Sequence, residues 1–104
     1  MTPEDSQRIK IKVDPAIATL IPGFLKNREA DAREILAALK SGDFDRLKTI
    51  GHQMKGLGGA YGFDTISEIG VAVEIEAIEK RAEKLPALAA LLADYLKKLE
   101  VIFE

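Results

Sequence analysis

Hydrophobic residues recur every three or four positions from residue 14 to the end of the chain, with three interruptions. This period is typical of α-helices that bury one face. The interruptions are a Ser-Gly-Asp turn at residues 41–43, a glycine at position 62 and the segment before Pro86. Each contains residue types that end one helix or begin the next. The pattern therefore predicts four amphipathic helices joined by short connections.

The first helical region, residues 14–40, is expected in two parts because Pro22 interrupts its hydrogen bonding. Asp14 is the predicted N-cap of the short lead-in helix that comes first. The later helices are predicted at Phe44 to Tyr61, from Asp64 or Thr65 to Lys84, and from Pro86 to Glu104. Thr65 and Glu68 have the spacing of a capping box. Helices of this length with short connections favour an antiparallel bundle.

The N-terminal segment differs from the helical remainder. Residues 1–8 are polar, and Ile9 to Val13, with the sequence IKIKV, alternate between apolar and charged side chains as in a strand. No second strand is evident to pair with this segment, so we interpret it as an extended arm. The predicted fold is therefore all-α: an antiparallel four-helix bundle in residues 14–104, with a lead-in helix and a flexible or extended arm in residues 1–13.

Composition limits the functions that this chain can have. Its 104 residues, 47% of them hydrophobic, are enough for one core. The net charge of −2, from 15 basic and 17 acidic residues, gives no field that would favour nucleic acid as a partner. Cysteine is absent and histidine occurs once, so disulfides, thiol catalysis and an ordinary zinc site are not expected. We therefore predict no metal and no cofactor.

The N-terminus and the apolar runs bear on where the protein is found. The first ten residues, MTPEDSQRIK, are polar and unlike a secretory signal. No apolar run approaches the roughly 18–20 residues needed to cross a bilayer. We predict a cytoplasmic monomer without membrane contact. The initial methionine favours a stand-alone protein, and a fragment of a larger sensor kinase is the alternative.

The segment GHQMKGLGGAYG, residues 51–62, has five glycines in twelve positions and holds the only histidine of the chain. Each glycine inside a helix is unfavourable by about 1 kcal/mol relative to alanine. On a helical wheel, Gly51 and Gly58 fall on the core face with Leu47, where close packing of a neighbouring helix would explain them. His52 falls about 140° from Leu47, on the solvent face.

Gly56 and Gly59 share the solvent face with His52, and packing inside the domain does not account for them. Alanine would be more stable at both positions. Bare backbone beside an exposed imidazole is useful when another macromolecule must approach it closely. A solvated histidine without a role is the alternative, but it leaves the two glycines unexplained.

The predicted third helix has a second apolar stripe opposite its core stripe, formed by Val71, Ile75, Ile78 and Ala82. We interpret this stripe as a docking patch for a partner. The alternative is that the N-terminal arm or a neighbouring copy of the chain covers it.

Glu74, on the same helix, is expected roughly level with His52. The estimate follows from counting equal rise along two antiparallel helices away from the turn near Gly62. A carboxylate at this level would accept a hydrogen bond from one ring nitrogen and orient the other outwards. A solvated glutamate in an acidic helix is the alternative interpretation.

The segment around the histidine resembles a known family. His52-Gln-Met-Lys55-Gly56, followed by Gly59 and Gly62, is similar to the H-x-x-K-G signature of histidine-containing phosphotransfer (HPt) domains. The resemblance covers roughly residues 14–103, including the SGDF turn before the motif and the Gly-Phe-Asp segment that leads into a third helix. An outward-facing position on the second of four predicted helices makes the motif fairly specific.

The resemblance implies a phosphorelay intermediate. HPt domains accept a phosphoryl group on this histidine from the phospho-aspartate of one receiver domain and pass it to the aspartate of another. By position, His52 would be the phospho-acceptor, and Lys55 would offset phosphoryl charge one turn along the helix. Gly56 and Gly59 would leave room for the receiver. The implied partners are response-regulator receiver domains, which would hold Mg²⁺, and a hybrid sensor histidine kinase.

Two enzymatic interpretations fit the sequence poorly. Counted from Gly56, the third glycine of a dinucleotide-binding G-x-G-x-x-G motif would fall on Tyr61, and the segment follows a helix rather than a strand. A hydrolase would need His52 beside a nucleophile, and Thr49 and Tyr61 are in no recognisable arrangement for that role. No ATP-binding module is evident either, so we expect a phosphocarrier rather than an enzyme.

One alternative of the same fold remains open: a helical interaction or dimerisation module that is never phosphorylated and binds through Val71, Ile75 and Ile78. Replacement of His52 would leave the function of such a module intact. One residue departs from the HPt pattern. The position after Lys-Gly is often small in the family, whereas here it is Leu57, which the helical wheel places at the edge of the core.

Overall fold

The computed structural model describes residues 8–104, in which four α-helices follow a strand and a 3-10 helix and precede a second strand. The elements are β1 (Ile9–Val13), the 3-10 helix (Pro15–Leu20), α1 (Ile21–Lys40), α2 (Phe44–Tyr61), α3 (Asp64–Ile78), α4 (Leu85–Lys98) and β2 (Leu99–Phe103). The predicted all-α, antiparallel four-helix bundle is confirmed.

The lead-in helix forms where its sequence predicts, as the 3-10 helix. The Asp14 side chain caps it by accepting a hydrogen bond from the backbone N–H of Ala16 at 2.9 Å. Pro22 lies in the first turn of α1, where its missing N–H leaves no intrahelical acceptor unpaired. The two helices therefore meet just before this proline.

The start and the end of α2 also follow the prediction. Oδ1 of Asp43 accepts a hydrogen bond from the backbone N–H of Arg46 at 2.9 Å and caps the first turn. Gly62 ends the helix with φ of 86°, in the left-handed region that favours glycine. These two ends fix the register of α2 and hence the direction in which His52 faces.

The third helix begins as predicted but differs from the sequence prediction in its N-terminal cap and at its C-terminal end. It begins at Asp64, but no side-chain hydrogen bond caps it, so the capping box of Thr65 and Glu68 is not formed. It ends at Ile78, well before the predicted end at Lys84. The predicted extension to Lys84 is therefore wrong.

A buried carboxylate accounts for the early end of α3. Arg81, beyond the helix, donates from Nε to Oε2 of Glu76 at 3.0 Å, and its backbone N–H donates to the Glu76 carbonyl at 2.9 Å. Between them, Lys80 takes φ of 54°. Holding Arg81 against Glu76 turns the chain away from the helix axis, which begins the connection to α4.

The C-terminal part of the predicted fourth helix forms a strand instead. Residues Leu99–Phe103 pair in parallel with β1, from Ile9 opposite Leu99 to Val13 opposite Phe103. The prediction that the final helix runs to Glu104 is therefore wrong, and the segment read as an unpaired extended arm has a partner. Residues 1–7 of that arm lie outside the described residues, and the division at residue 13 stays a prediction.

The hydrophobic core lies between the four helices and under the two-stranded sheet. Val13 of β1 is buried in it, so the sheet is packed against the bundle. Each helix contributes buried side chains from one face: Phe24 and Ile35 from α1, Leu47, Ile50 and Met54 from α2, Ile66, Ile69 and Val73 from α3, and Leu92 and Tyr95 from α4.

Helices α2 and α3 are packed so closely that their backbones touch. A Cβ atom added at Gly51 would lie 2.5 Å from the backbone nitrogen of Glu74, and one at Gly70 would lie 2.5 Å from that of Lys55. A Cβ at Gly58 would lie 2.6 Å from the backbone nitrogen of Ser67. Only glycine fits at these three positions without a shift of the helices. This close approach puts the outer edges of α2 and α3 side by side.

Candidate functional site

The His52 side chain lies on the solvent face of α2 and is 68% exposed. Its neighbour Gly51 is buried against α3, which fixes the backbone beneath the imidazole. The ring is therefore held on a rigid helix while its edge stays open to a partner.

Glu74 of α3 lies directly beside the histidine. Its Oε2 is 2.9 Å from Nδ1 of His52, and only 15% of its side chain is exposed. An ionised carboxylate only accepts hydrogen bonds, so Nδ1 of a neutral imidazole carries the proton and donates it. The other ring nitrogen, Nε2, then keeps its lone pair.

Lys55 reaches the second oxygen of the same carboxylate. Its Nζ donates to Oε1 of Glu74 at 3.2 Å, so Glu74 bridges the histidine and the lysine. The hydrogen bond from Lys55 lowers the pKa of the Glu74 carboxyl, with a further contribution from His52 and an opposing one from desolvation. Glu74 is thus held in the ionised form that the hydrogen bond to Nδ1 requires.

Ser67 ties α2 to α3 beside this group, and sequence reasoning missed it. Its Oγ donates to the backbone carbonyl of Lys55 at 2.8 Å. A serine on a helix has no local signal for a contact with another helix. Ser67 faces Gly58 across the α2–α3 contact. This pairing can be recognised only after the two helices have been aligned.

Gly56 and Gly59 leave the surface next to His52 open. No atom lies within 4 Å of the position that a Cβ would take at Gly56, and only Oγ of Ser67, at 3.9 Å, lies that close at Gly59. Neither glycine is therefore required by packing inside the described chain. This distinguishes them from Gly51 and Gly58, which are.

Exposed apolar side chains of α3 flank the site. Val71, Ile75 and Ile78 project from α3 and form the apolar patch, which begins next to Glu74. Leu57, on α2, is 38% exposed and lines a separate groove with Phe24 and Tyr61, a position at the edge of the core. The surface next to the His52–Glu74 pair is therefore partly apolar.

A cleft lies at the N-terminal side of His52, away from the two open glycines. It is lined by His52, Glu74, Asp45, Lys48, Thr49 and Gln53, and its volume is about 480 Å³. Sequence reasoning did not single out Asp45, Lys48 or Gln53. Their positions on the α2 wheel would have placed them beside the histidine, but nothing in the motif points to them.

The described residues contain no cluster of metal ligands. Among residues 8–104, no group of three or more His, Cys, Asp or Glu side chains is arranged to hold a metal ion. In the same part of the chain, no helix is both long enough and apolar enough to span a membrane. The side chains that contact one another at the site are His52, Lys55 and Glu74.

Comparison with known families identifies the class of protein. The family model of the Hpt domain matches residues 20–101, which is most of the chain. The chain belongs to the Hpt domain family. Membership implies histidine phosphotransfer in phosphorelay signalling, with receiver domains and kinases as partners. Hpt domains are phosphocarrier modules rather than kinases. No curated protein and no solved structure matched the chain.

Proposed function

We propose that this chain is a phosphorelay intermediate that carries its phosphoryl group on His52. The group comes from the phospho-aspartate of one receiver domain and passes to the aspartate of another. The observation that carries the proposal is an exposed imidazole whose Nδ1 is bound to a carboxylate at 2.9 Å, on the face where Gly56 and Gly59 leave the backbone bare.

The proposed transfer exchanges one phosphorus bond for another. The lone pair on Nε2 of His52 attacks phosphorus, the bond from phosphorus to the aspartyl oxygen breaks, and the aspartate leaves as a carboxylate. Nδ1 keeps its proton throughout, so the ring gains positive charge as the new bond forms. The ionised Glu74 beside Nδ1 stabilises that charge. The return step to a second receiver reverses the same exchange.

Lys55 and Glu74 have different tasks in this proposal. Glu74 positions the imidazole and selects the tautomer with Nε2 free. Lys55 offsets negative charge near the phosphoryl group, and its bond to Glu74 holds its ammonium on the α3 side of His52. Positioning and charge neutralisation provide most of the catalysis in phosphoryl transfer, and the remaining groups, with Mg²⁺, belong to the receiver.

The docking surface for the receiver comprises Gly56, Gly59 and the apolar patch. The glycines admit the partner close to the imidazole, and the patch gives it apolar area to bury. The donor in the chain of transfers is a hybrid sensor histidine kinase. We further propose a cytoplasmic monomer that binds no nucleic acid and does not phosphorylate itself from ATP.

The decisive experiment is intact-mass analysis after mixing the protein with Mg²⁺ and a series of phosphorylated receiver domains, in parallel with His52→Gln. We expect an acid-labile phosphoryl adduct on the wild type alone. The variant is a fair control because an exposed side chain contributes little to stability, so its unfolding midpoint should match the wild type. If the folded wild type acquires no adduct from any receiver domain in the series, the proposal is wrong.

The exposed patch favours a second candidate, a module that binds or dimerises without phosphorylation. Val71, Ile75 and Ile78 would then form its interface. The two candidates differ in what His52→Gln does: it abolishes a phosphorelay and leaves a binding module unaffected. If a receiver binds the wild type and His52→Gln with equal affinity and no adduct forms, the second candidate is correct.

A further inference from the structure

Two lysines lie on the same side of α2 as His52, one turn before it and one turn after it. Lys48 precedes the histidine by four residues and Lys55 follows it by three, spacings that bring side chains together on a helix. Their surroundings differ. Lys55 is bound to Glu74, whereas the side chain of Lys48 makes no ion pair or hydrogen bond in the part of the chain that the structure describes.

Lys48 lines the cleft beside the imidazole. His52 and Glu74 form one wall of this cleft, and Lys48 is the only lysine or arginine on its lining. Asp45 also lines it and lies three residues before Lys48, but their charged atoms form no ion pair. The Thr49 hydroxyl is occupied because it donates to the backbone carbonyl of Asp45 at 3.2 Å. The lysine and the Gln53 amide are thus the donors left for an anionic group.

We propose that Lys48 is a second phosphoryl-binding residue and that the phosphoryl group on Nε2 of His52 lies at the mouth of this cleft. The inference rests on the proposed function, since it requires phosphorylation of His52. Lys55 is held by Glu74 on the α3 side of His52, while the Lys48 side chain, which has no partner among the described residues, can turn towards the added negative charge from the cleft. Of the two acidic residues on the cleft lining, Glu74 is bound to His52 and Lys55, and Asp45 is exposed, so its charge is screened by solvent.

The proposal can be tested without a receiver, using phosphoramidate as a small phosphoryl donor. In this reaction the bond between phosphorus and the amide nitrogen breaks, ammonia leaves and the bond to Nε2 forms. The rate of adduct formation is followed by intact mass for the wild type, Lys48→Gln and Lys48→Arg. Lys26→Gln on α1 is the matched control, because it removes the same charge from an exposed lysine on a helix other than α2.

We expect Lys48→Gln to slow the reaction about two- to fivefold at low salt, the range typical of a solvent-exposed charge interaction. Lys48→Arg should retain most of the rate, and Lys26→Gln all of it. The difference should shrink at high ionic strength, where exposed charges are screened. The ring-nitrogen NMR shifts of His52 should be unchanged in Lys48→Gln, because its bond to Glu74 remains.

Three results would contradict the proposal, and each has a different meaning. Equal rates for Lys48→Gln and Lys26→Gln, with normal labelling of the wild type, would overturn the role of Lys48 and leave the phosphorelay intact. Absence of an adduct on folded wild type, with phosphoramidate and with phosphorylated receivers, would overturn both. A loss in Lys48→Gln accompanied by altered His52 nitrogen shifts would assign the effect to the imidazole and also contradict the proposal.

Discussion

At the scale of the residue, the site depends on one carboxylate that binds two neighbours. Glu74 accepts from His52 on one oxygen and from Lys55 on the other, at 2.9 and 3.2 Å. The contact with His52 could be anticipated by counting along two antiparallel helices, because helical rise is uniform. The contact with Lys55 and the bond from Ser67 to the Lys55 carbonyl could not, because they depend on the rotation of one helix against the other.

Glu74→Gln should separate the electrostatic role of this residue from its shape. The folded-state pKa of Glu74 lies below its ordinary value of 4.5, so its ionised pairing stabilises the fold above that pH and is lost as the pH falls through the lowered pKa. We expect the wild type to exceed Glu74→Gln in unfolding free energy at about pH 7 and to lose this advantage progressively as the pH falls below 4.5. Urea unfolding of both proteins across this range measures it.

The same variant should also impair the reaction. A glutamine can accept from Nδ1 but adds no negative charge to stabilise the ring, so phosphoramidate labelling of His52 should slow while receiver binding stays normal. Labelling at the wild-type rate would show that the carboxylate charge is dispensable. If the difference in unfolding free energy between the wild type and Glu74→Gln is constant with pH, the ionised pairing of Glu74 does not stabilise the fold.

At the scale of the element, α2 carries two kinds of glycine with opposite physical roles. Gly51 lets α3 approach, and the backbone of Glu74 occupies the space that a side chain would need. Gly56 has open space instead. Helical periodicity alone separated these roles, because one glycine falls on the core face and the other on the solvent face.

Alanine substitution of the two glycines should therefore change stability in opposite directions. Gly56→Ala should raise the unfolding free energy by about 0.5–1 kcal/mol, because alanine favours the helix and nothing clashes. Gly51→Ala should lower it by about 1–3 kcal/mol or more, because a Cβ 2.5 Å from a backbone nitrogen forces the helices apart. Thermal and urea unfolding measure both.

Function should respond differently from stability at Gly56. Gly56→Ala should label normally with phosphoramidate but transfer more slowly from a phosphorylated receiver, because the added methyl group stands where the partner approaches. An unchanged transfer rate from every receiver tested would contradict the role of Gly56 in docking, whatever its effect on stability.

The predicted and observed elements differ where local pattern is ambiguous. The segment LEVIF continues the helical spacing of α4 through Leu99 and Ile102, so periodicity alone extends the helix. The strand forms because β1 lies beside it, and parallel pairing of residues some ninety positions apart has no local signal. The two ends of α2, capped by Asp43 and Gly62, were predictable because capping is local.

At the scale of the whole molecule, the site and the apolar patch share the outer side of the α2–α3 pair. The sheet that joins the two ends of the described chain is formed by other residues, Ile9–Val13 and Leu99–Phe103. Because α2 and α3 are in backbone contact, the distance from His52 to the patch is fixed by the fold rather than by flexible side chains. A partner that reaches the imidazole can therefore meet the patch in one defined orientation.

Ile75→Ser tests whether this patch serves the receiver. Ile75 and Leu36 are both 48% exposed, and Leu36 lies on α1, so Leu36→Ser is a control of equal size and exposure. We expect Ile75→Ser to weaken binding of the receiver about tenfold, the effect of removing one apolar anchor worth about 1.4 kcal/mol. Leu36→Ser should bind as the wild type does, and both should label normally with phosphoramidate. If Ile75→Ser binds receivers unchanged and instead abolishes a self-association seen by sedimentation of the wild type, the patch joins two copies of the chain, and the receiver must dock on the glycine side of His52 alone.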